Sequence, residues 1–210
     1  QIEPVPSGSI RTTAEIVSTL KVGRRANHAI EVARALEIPE KTLPLDPYLL
    51  GAWLGDGTSS SGNITTMDSE IVGEFKRAGF TVGWIGSQKN NKAKTYRFDG
   101  LTSLLREIDL LNHKHVPDIY LWSSREQRLA LLQGLLDTDG TTDGSGVSFC
   151  NTNQQIIEAT SHLIRSLGYK SYVREYRAKL NGRDCGPAWL VSFTPSVPVF
   201  RLKRKLQRQN

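Results

Sequence analysis

Two aspartates, Asp56 and Asp139, stand 83 residues apart in segments that are variations on one pattern. Leu49-Leu50-Gly51-Ala52-Trp53-Leu54-Gly55-Asp56-Gly57-Thr58 is echoed by Leu132-Gln133-Gly134-Leu135-Leu136-Asp137-Thr138-Asp139-Gly140-Thr141. Each is an apolar run with small residues four apart, closing on Asp-Gly-Thr. At the C-terminal end of a short helix, each acid would face unpaired carbonyls, where a carboxylate is disfavoured by about 0.3–1 kcal/mol. Repeating that arrangement asks for compensation. A divalent cation held by Asp56, Asp139, nearby carbonyls (Gly55 and Thr138) and water would supply it, and hard oxygen ligands suit Mg²⁺, or Mn²⁺. Two carboxylates sharing metal ions a few ångströms apart are the arrangement for in-line phosphodiester hydrolysis.

The helices that carry these acids must come close together. Gly51 and Gly55 lie four apart, as do Gly134 and Thr138, and small residues on one helical face let two helices approach as in Gly-x-x-x-Gly pairs. Packed through those residues, the pair would bring Asp56 and Asp139 together near a local two-fold axis. Asp137 has Leu54 as its counterpart and reads as a local structural acid or one that supports the metal ligands. Asp-Gly by itself is a common turn; two copies with matching glycines inside matching element orders point to duplication. His28, His113, His115 and His162 lack metal-ligand spacing, which argues against zinc.

The flanking pattern repeats as well. Asp46 and Pro47 open a helix over Pro47–Gly55, and Gly57 is placed to take a left-handed conformation at its end. A strand at Asn63–Thr66 follows, then a helix over Asp68–Ala78, strands at Thr81–Ser87 and Thr95–Phe98, and a helix over Leu101–Leu110. In the second half Ser123 and Glu126 read as a capping box. Strand Val147–Cys150, helix Asn153–Leu167, and strands Ser171–Arg177 and Trp189–Phe193 complete the repeat. Residues 1–45 form a lead-in with a short helical stretch at Thr13–Leu20 and no chemistry of its own. The expected divisions are therefore 1–45, 46–122 and 123–210.

Composition bounds the classes. The 210 residues are 38% hydrophobic and 23% charged with four tryptophans, the make-up of a globular chain. No apolar run approaches the ~20 residues of a membrane span, and the N-terminal residues carry no secretory signal pattern. The start at Gln1 suggests a fragment or processed product. Cys150 and Cys185 lack CxxC spacing and read as free thiols. The net charge is +6, but the stretch from Lys170 onward holds ten Lys/Arg against two acids, leaving −2 for everything before it. Positive charge segregated in this way favours a polyanion.

Both repeated segments resemble the signature of the LAGLIDADG homing endonucleases, in the dodecapeptide form carried by inteins. The resemblance covers residues 46–210. It implies an α+β fold of two pseudo-symmetric αββαββα half-domains, with antiparallel saddle-shaped sheets and packed signature helices. By the same resemblance Asp56 and Asp139 form the metal-binding catalytic pair, and a monomer, internally a pseudo-dimer, makes a double-strand break with short 3′ overhangs in a long asymmetric DNA site. The family's intein members also use lysines. Lys114, in Lys114-His115-Val116-Pro117, fits one of these places; the other falls to Lys205 or Lys203, with Lys205 preferred. Such a lysine stabilises phosphorane charge or helps deprotonate the attacking water.

DNA reading should fall to one face of the strands. Lys94, Tyr96 and Phe98 share a face, which leaves Thr95 and Arg97 toward DNA; Arg174 opposite Val173 gives a similar split. Lys89, Lys92, Lys179 and Arg183 read as turn residues on phosphates, and Lys203 as a further DNA contact. The segment around Asn27–Ala35 and Leu43–Tyr48 is similar to the boundary between splicing and endonuclease domains in inteins of bacterial replicative DNA helicases, which implies a cytoplasmic, DNA-associated setting. Splicing itself is not expected, because residue 1 is Gln, Thr-x-x-His does not occur, and the end reads Gln209-Asn210. The competing reading is a decayed binding module, maturase-like or regulatory; retention of both acids favours the enzyme. Because the halves share their acids but not their lysine surroundings in sequence, the site is expected to be asymmetric.

Overall fold

The computed structural model describes residues 8–29, 32–87 and 92–209. Two compact units divide the chain at Val32/Ala33. In the first, helix α1 (Thr13–Ser18) opens with a capping box between Thr12 and Glu15, and β1 (Lys21–Val22) pairs antiparallel with β2 (Arg25–Ala26). No residue of α1 is buried, and Val17, Leu20 and Val22 are exposed.

The second unit runs α2 (Pro47–Asp56), β3 (Ile64–Thr66), α3 (Ser69–Arg77), β4 (Val82–Ser87), β5 (Lys94–Phe98), α4 (Leu101–Glu107), α5 (Asp118–Leu121), α6 (Arg125–Asp139), β6 (Gly140–Thr142), β7 (Val147–Asn151), α7 (Gln154–Ser166), β8 (Tyr172–Leu180), β9 (Arg183–Phe193) and α8 (Lys203–Leu206). Asp46 caps α2 by accepting the amides of Tyr48 and Leu49 at 2.9 and 3.2 Å, with Pro47 at the first helical position. Every residue from Pro47 to Leu54 is buried. A helix apolar on all sides belongs inside a core, and α2 packs along α6 at the centre of this unit.

Two antiparallel sheets flank that pair, in orders β3-β5-β4 and β6-β7-β9-β8. Each has one mainly apolar face packed on the core and one open face that mixes polar side chains with an exposed ring, Trp84 in the first sheet and Tyr172 in the second. Ile64 pairs with Tyr96, and Val82 with Phe98, on the covered face of the first sheet. Phe98 stacks on Phe75 of α3 at 4.4 Å between ring centroids. Phe149, Val191 and Phe193 do the same in the second sheet, where α7 packs on β7 and β9. Residues 33–45 lie along the second half. Leu36 donates its amide to Ser166 O at 2.8 Å, and the buried Arg128 guanidinium binds the carbonyls of Leu36, Ser123 and Ser166.

Several local expectations are corrected. The capping box of α6 is Ser124 with Gln127; Ser123 instead donates its hydroxyl to Tyr120 O at the end of α5. Gly57 is not left-handed: its φ of −77° and ψ of 148° are extended, and Gly140 matches it at −80° and 150°. Glycine is needed there for closeness, since a Cβ on Gly57 would lie 2.6 Å from the Trp53 indole nitrogen, and one on Gly140 2.7 Å from Leu136 Cα. The first half keeps only a single bridge, Gly57 to Ile64, where the second has strand β6. Lys179 and Arg183 are strand residues, because β8 and β9 extend to a two-residue turn at Asn181-Gly182, both at positive φ.

Candidate active site

The two signature helices, α2 and α6, cross backbone to backbone. A Cβ added to Gly51 would stand 2.8 Å from the Leu135 amide nitrogen and 3.0 Å from Gly134 Cα; one on Gly134 would stand 2.8 Å from the Ala52 nitrogen. One turn later a Cβ on Gly55 would run into the Thr138 hydroxyl and come within 3.3 Å of Asp139 Oδ2. Asp139 therefore lies against the last turn of the helix that ends on Asp56.

The electrostatics follow from that closeness. Burial, and next the charge of Asp139, push the Asp56 carboxyl up to about 6, with Lys205 and Lys114 pulling it down. Burial likewise raises Asp139, against the pull of the same two lysines. Both lysines are lowered to about 8, in each case chiefly by burial. Burial thus draws all four groups toward their neutral forms while the opposite charges of the acids and lysines resist it, the kind of perturbed cluster found where protons are moved.

The lysines are bound in matching ways. Lys114 Nζ donates to Trp53 O, Leu54 O and Gly57 O at 3.1, 2.9 and 2.7 Å, and lies 4.9 Å from the Trp53 ring centroid. Lys205 Nζ donates to Leu136 O, Thr138 O and Gly140 O at 2.8, 3.0 and 2.7 Å. Gly57 and Gly140, and Trp53 and Leu136, are equivalent positions of the duplication. The expected asymmetry of the lysine surroundings is therefore reduced to the third carbonyl, Leu54 against Thr138, and to the ring beside each ammonium, Trp53 against Phe200. Sequence spacing hid the match, because Lys114 follows its aspartate by 58 residues and Lys205 by 66. Lys203, the other candidate, is exposed on α8, and its amide donates to Glu70 at 3.3 Å.

These bonds also change the electrostatic account of the helix ends. The carbonyls that leave a carboxylate uncompensated are met by ammonium groups, so the lysines supply part of what a cation was expected to supply. Thr138 O, one expected metal ligand, already accepts from Lys205. Among the described residues no cluster of three or more His, Cys, Asp or Glu could hold a metal. A cation here would rest on Asp56, Asp139, backbone oxygen and water. That donor set, with both carboxyls raised by burial, fits a hard divalent ion that would restore their charge.

The remaining expected residues lie on the open sheet faces and loops. Register puts Thr65, Thr95, Arg97 and Trp84 on one face of the first sheet, with the Thr65 and Thr95 hydroxyls 2.8 Å apart. Arg97 also approaches Asp99 at 3.5 Å. In the second sheet Thr141, Ser148, Ser192, Tyr172 and Arg174 share the open face. Lys179 and Arg183 lie exposed at the far end of β8 and β9, and Lys92 is exposed just ahead of β5; Lys89 lies outside the described residues. Sequence reasoning missed Asn153. Its side chain donates to Lys114 O at 2.8 Å and caps α7, so its place as an N-cap was the readable signal.

Comparison with known proteins agrees with this architecture. The family description "LAGLIDADG-like domain" matches residues 126–191. The replicative DNA helicase DnaB of Mycobacterium intracellulare is 39% identical over 202 residues, covering 94% of this chain and 32% of the helicase, so the chain spans about a third of that relative's length. Structures of mesophilic variants of the homing endonuclease I-DmoI, and of I-DmoI in complex with DNA and Ca, superpose with a TM-score of 0.52 at 13% identity, covering 78% of this chain and 95% of theirs. Residues 126–191 thus match a LAGLIDADG-like domain, and the chain shares the fold of the homing endonuclease I-DmoI.

Proposed function

We propose that this chain is a site-specific DNA endonuclease that cuts both strands of a long asymmetric site by Mg²⁺-dependent phosphodiester hydrolysis. The observation that carries the reading is the meeting of two carboxylates, the half-buried Lys114 and the buried Lys205 at the closing ends of α2 and α6. A divalent ion held by Asp56 and Asp139, with Gly55 and Thr138 carbonyls at hand, would polarise the scissile phosphate and its attacking water. Lys114 and Lys205 each sit beside one helix end, one for each strand. Their lowered proton affinity fits them to take a proton from water or to oppose phosphorane charge. Thr95, Arg97 and Arg174 would read bases, while Lys92, Lys179, Arg183 and Lys203 would hold phosphates.

The protein would act as a monomer, since both acids come from one chain. The similarity to a replicative helicase three times its length fits an intein embedded in that host, and an intein-free helicase gene as the target. The test is incubation of the protein with Mg²⁺ and a plasmid carrying that uninterrupted gene. One linear product is expected. A stable protein–DNA complex with no linear product would instead make the chain a binding module.

A further inference from the structure

Asp137 is fully buried, and the duplication does not require it, since Leu54 holds the equivalent place. Its carboxylate accepts the Tyr48 hydroxyl at 2.8 Å, the Arg201 amide at 3.1 Å and the Leu202 amide at 3.2 Å. Arg201 adds a second layer: its guanidinium lies 4.3 Å over the Tyr48 ring and its Nε donates to Gln133 Oε1 at 2.9 Å. The two amides that Asp137 holds immediately precede α8, which carries Lys205. That helix is four residues long, too short to stand without outside support. Lys114 is held differently, by Asn153 through its backbone carbonyl.

We propose that Asp137 is the positioning residue for Lys205. Anchored to α2 through Tyr48, its carboxylate fixes the backbone of Arg201 and Leu202 and so sets α8 where Lys205 Nζ reaches the end of α6. One aspartate thereby joins both signature helices to the lysine of the second half. That Lys205 works on DNA rests on the function proposed above; that Asp137 positions it does not.

The test uses the full chain without DNA and reads the rate at which an amine-reactive ester acylates each lysine, by mass spectrometry. In the wild type Lys205 is protected, with Lys114 as the internal standard. Loss of hydrogen bonds to a buried carboxylate in Asp137→Ala should speed acylation of Lys205 about tenfold or more, with Lys114 unchanged. Tyr48→Phe, which removes one bond, should give about a threefold rise. If Asp137→Ala unfolds, both lysines react together, and Asp137→Asn and Tyr48→Phe decide. An unchanged Lys205 rate in the folded variants, or equal acceleration of both lysines in them, overturns the proposal. In the cleavage assay, Asp137→Ala added to Lys205→Met should slow cutting no further than Lys205→Met alone; an additive loss also overturns it. If the wild type cuts nothing, the functional reading fails while the acylation rates still decide the positioning role.

Discussion

Lys114 and Lys205 each use one ammonium for two purposes. Three hydrogen bonds from each close the carbonyls at a signature helix end, and the same positive charge acts on both Asp56 and Asp139. Substitution should therefore have two separable costs. Lys114→Met or Lys205→Met should slow cleavage by roughly 10²–10³, the range for losing a general acid–base or charge-stabilising group. Each should also lower stability by about 1–3 kcal/mol, because buried carbonyls lose their donors. Single-turnover cleavage and urea unfolding check the two effects separately; a variant that loses stability but keeps its rate would make that lysine a helix cap only. The acids were legible in the sequence because Asp-Gly-Thr repeats inside a repeated apolar run. The equivalence of the lysines was not, since each returns to its helix through an intervening stretch of different length. Asp137 was legible as structural, but its partners Arg201 and Leu202 lie more than sixty residues away, where no local pattern reaches.

Helix α2 against α6 is the contact that makes the site, and it depends on having no side chain at two places. Gly134→Ala would drive a methyl into the Tyr48 carbonyl and to 2.8 Å from the Ala52 nitrogen. The helices would have to separate, at about 2–3 kcal/mol. Because Gly51 and Gly134 face each other, the double alanine variant should lose less than the sum of the two, which thermal unfolding can measure. A second contact joins α8 to the start of α3 through Arg204 and Asp68, bidentate at 2.8 Å. The Arg204 side chain beside it holds the Asp68 carboxyl below its usual range. A lowered carboxyl stabilises the fold above its unfolded pKa and loses that contribution as pH falls through the folded value. Arg204→Met should thus cost about 0.5–1 kcal/mol at pH 7, the pair being partly exposed, and nothing once the pH is well below about 4. Most elements were legible because periodicity and caps mark their ends. The error at α6 was a shift of one residue between Ser123 and Ser124, which only burial of Ser123 against Tyr120 decides.

Across the second unit as a whole, two sheets present open faces bearing Thr95, Arg97 and Arg174, and positive charge gathers in the last forty residues. If Lys179 and Arg183 meet phosphates, replacing both with alanine should make the salt dependence of DNA binding shallower by about two contacts' worth while leaving sequence preference unchanged. Titrating binding against KCl reads that slope. The central claim remains that two carboxylates, one from each half, are joined into one catalytic site. It is tested most directly by Asp56→Asn and Asp139→Asn in the plasmid assay with Mg²⁺, with DNA binding followed in parallel. Both variants should bind the helicase-gene plasmid as the wild type does and yield no linear product. Linear product at the wild-type rate from either variant would contradict the account.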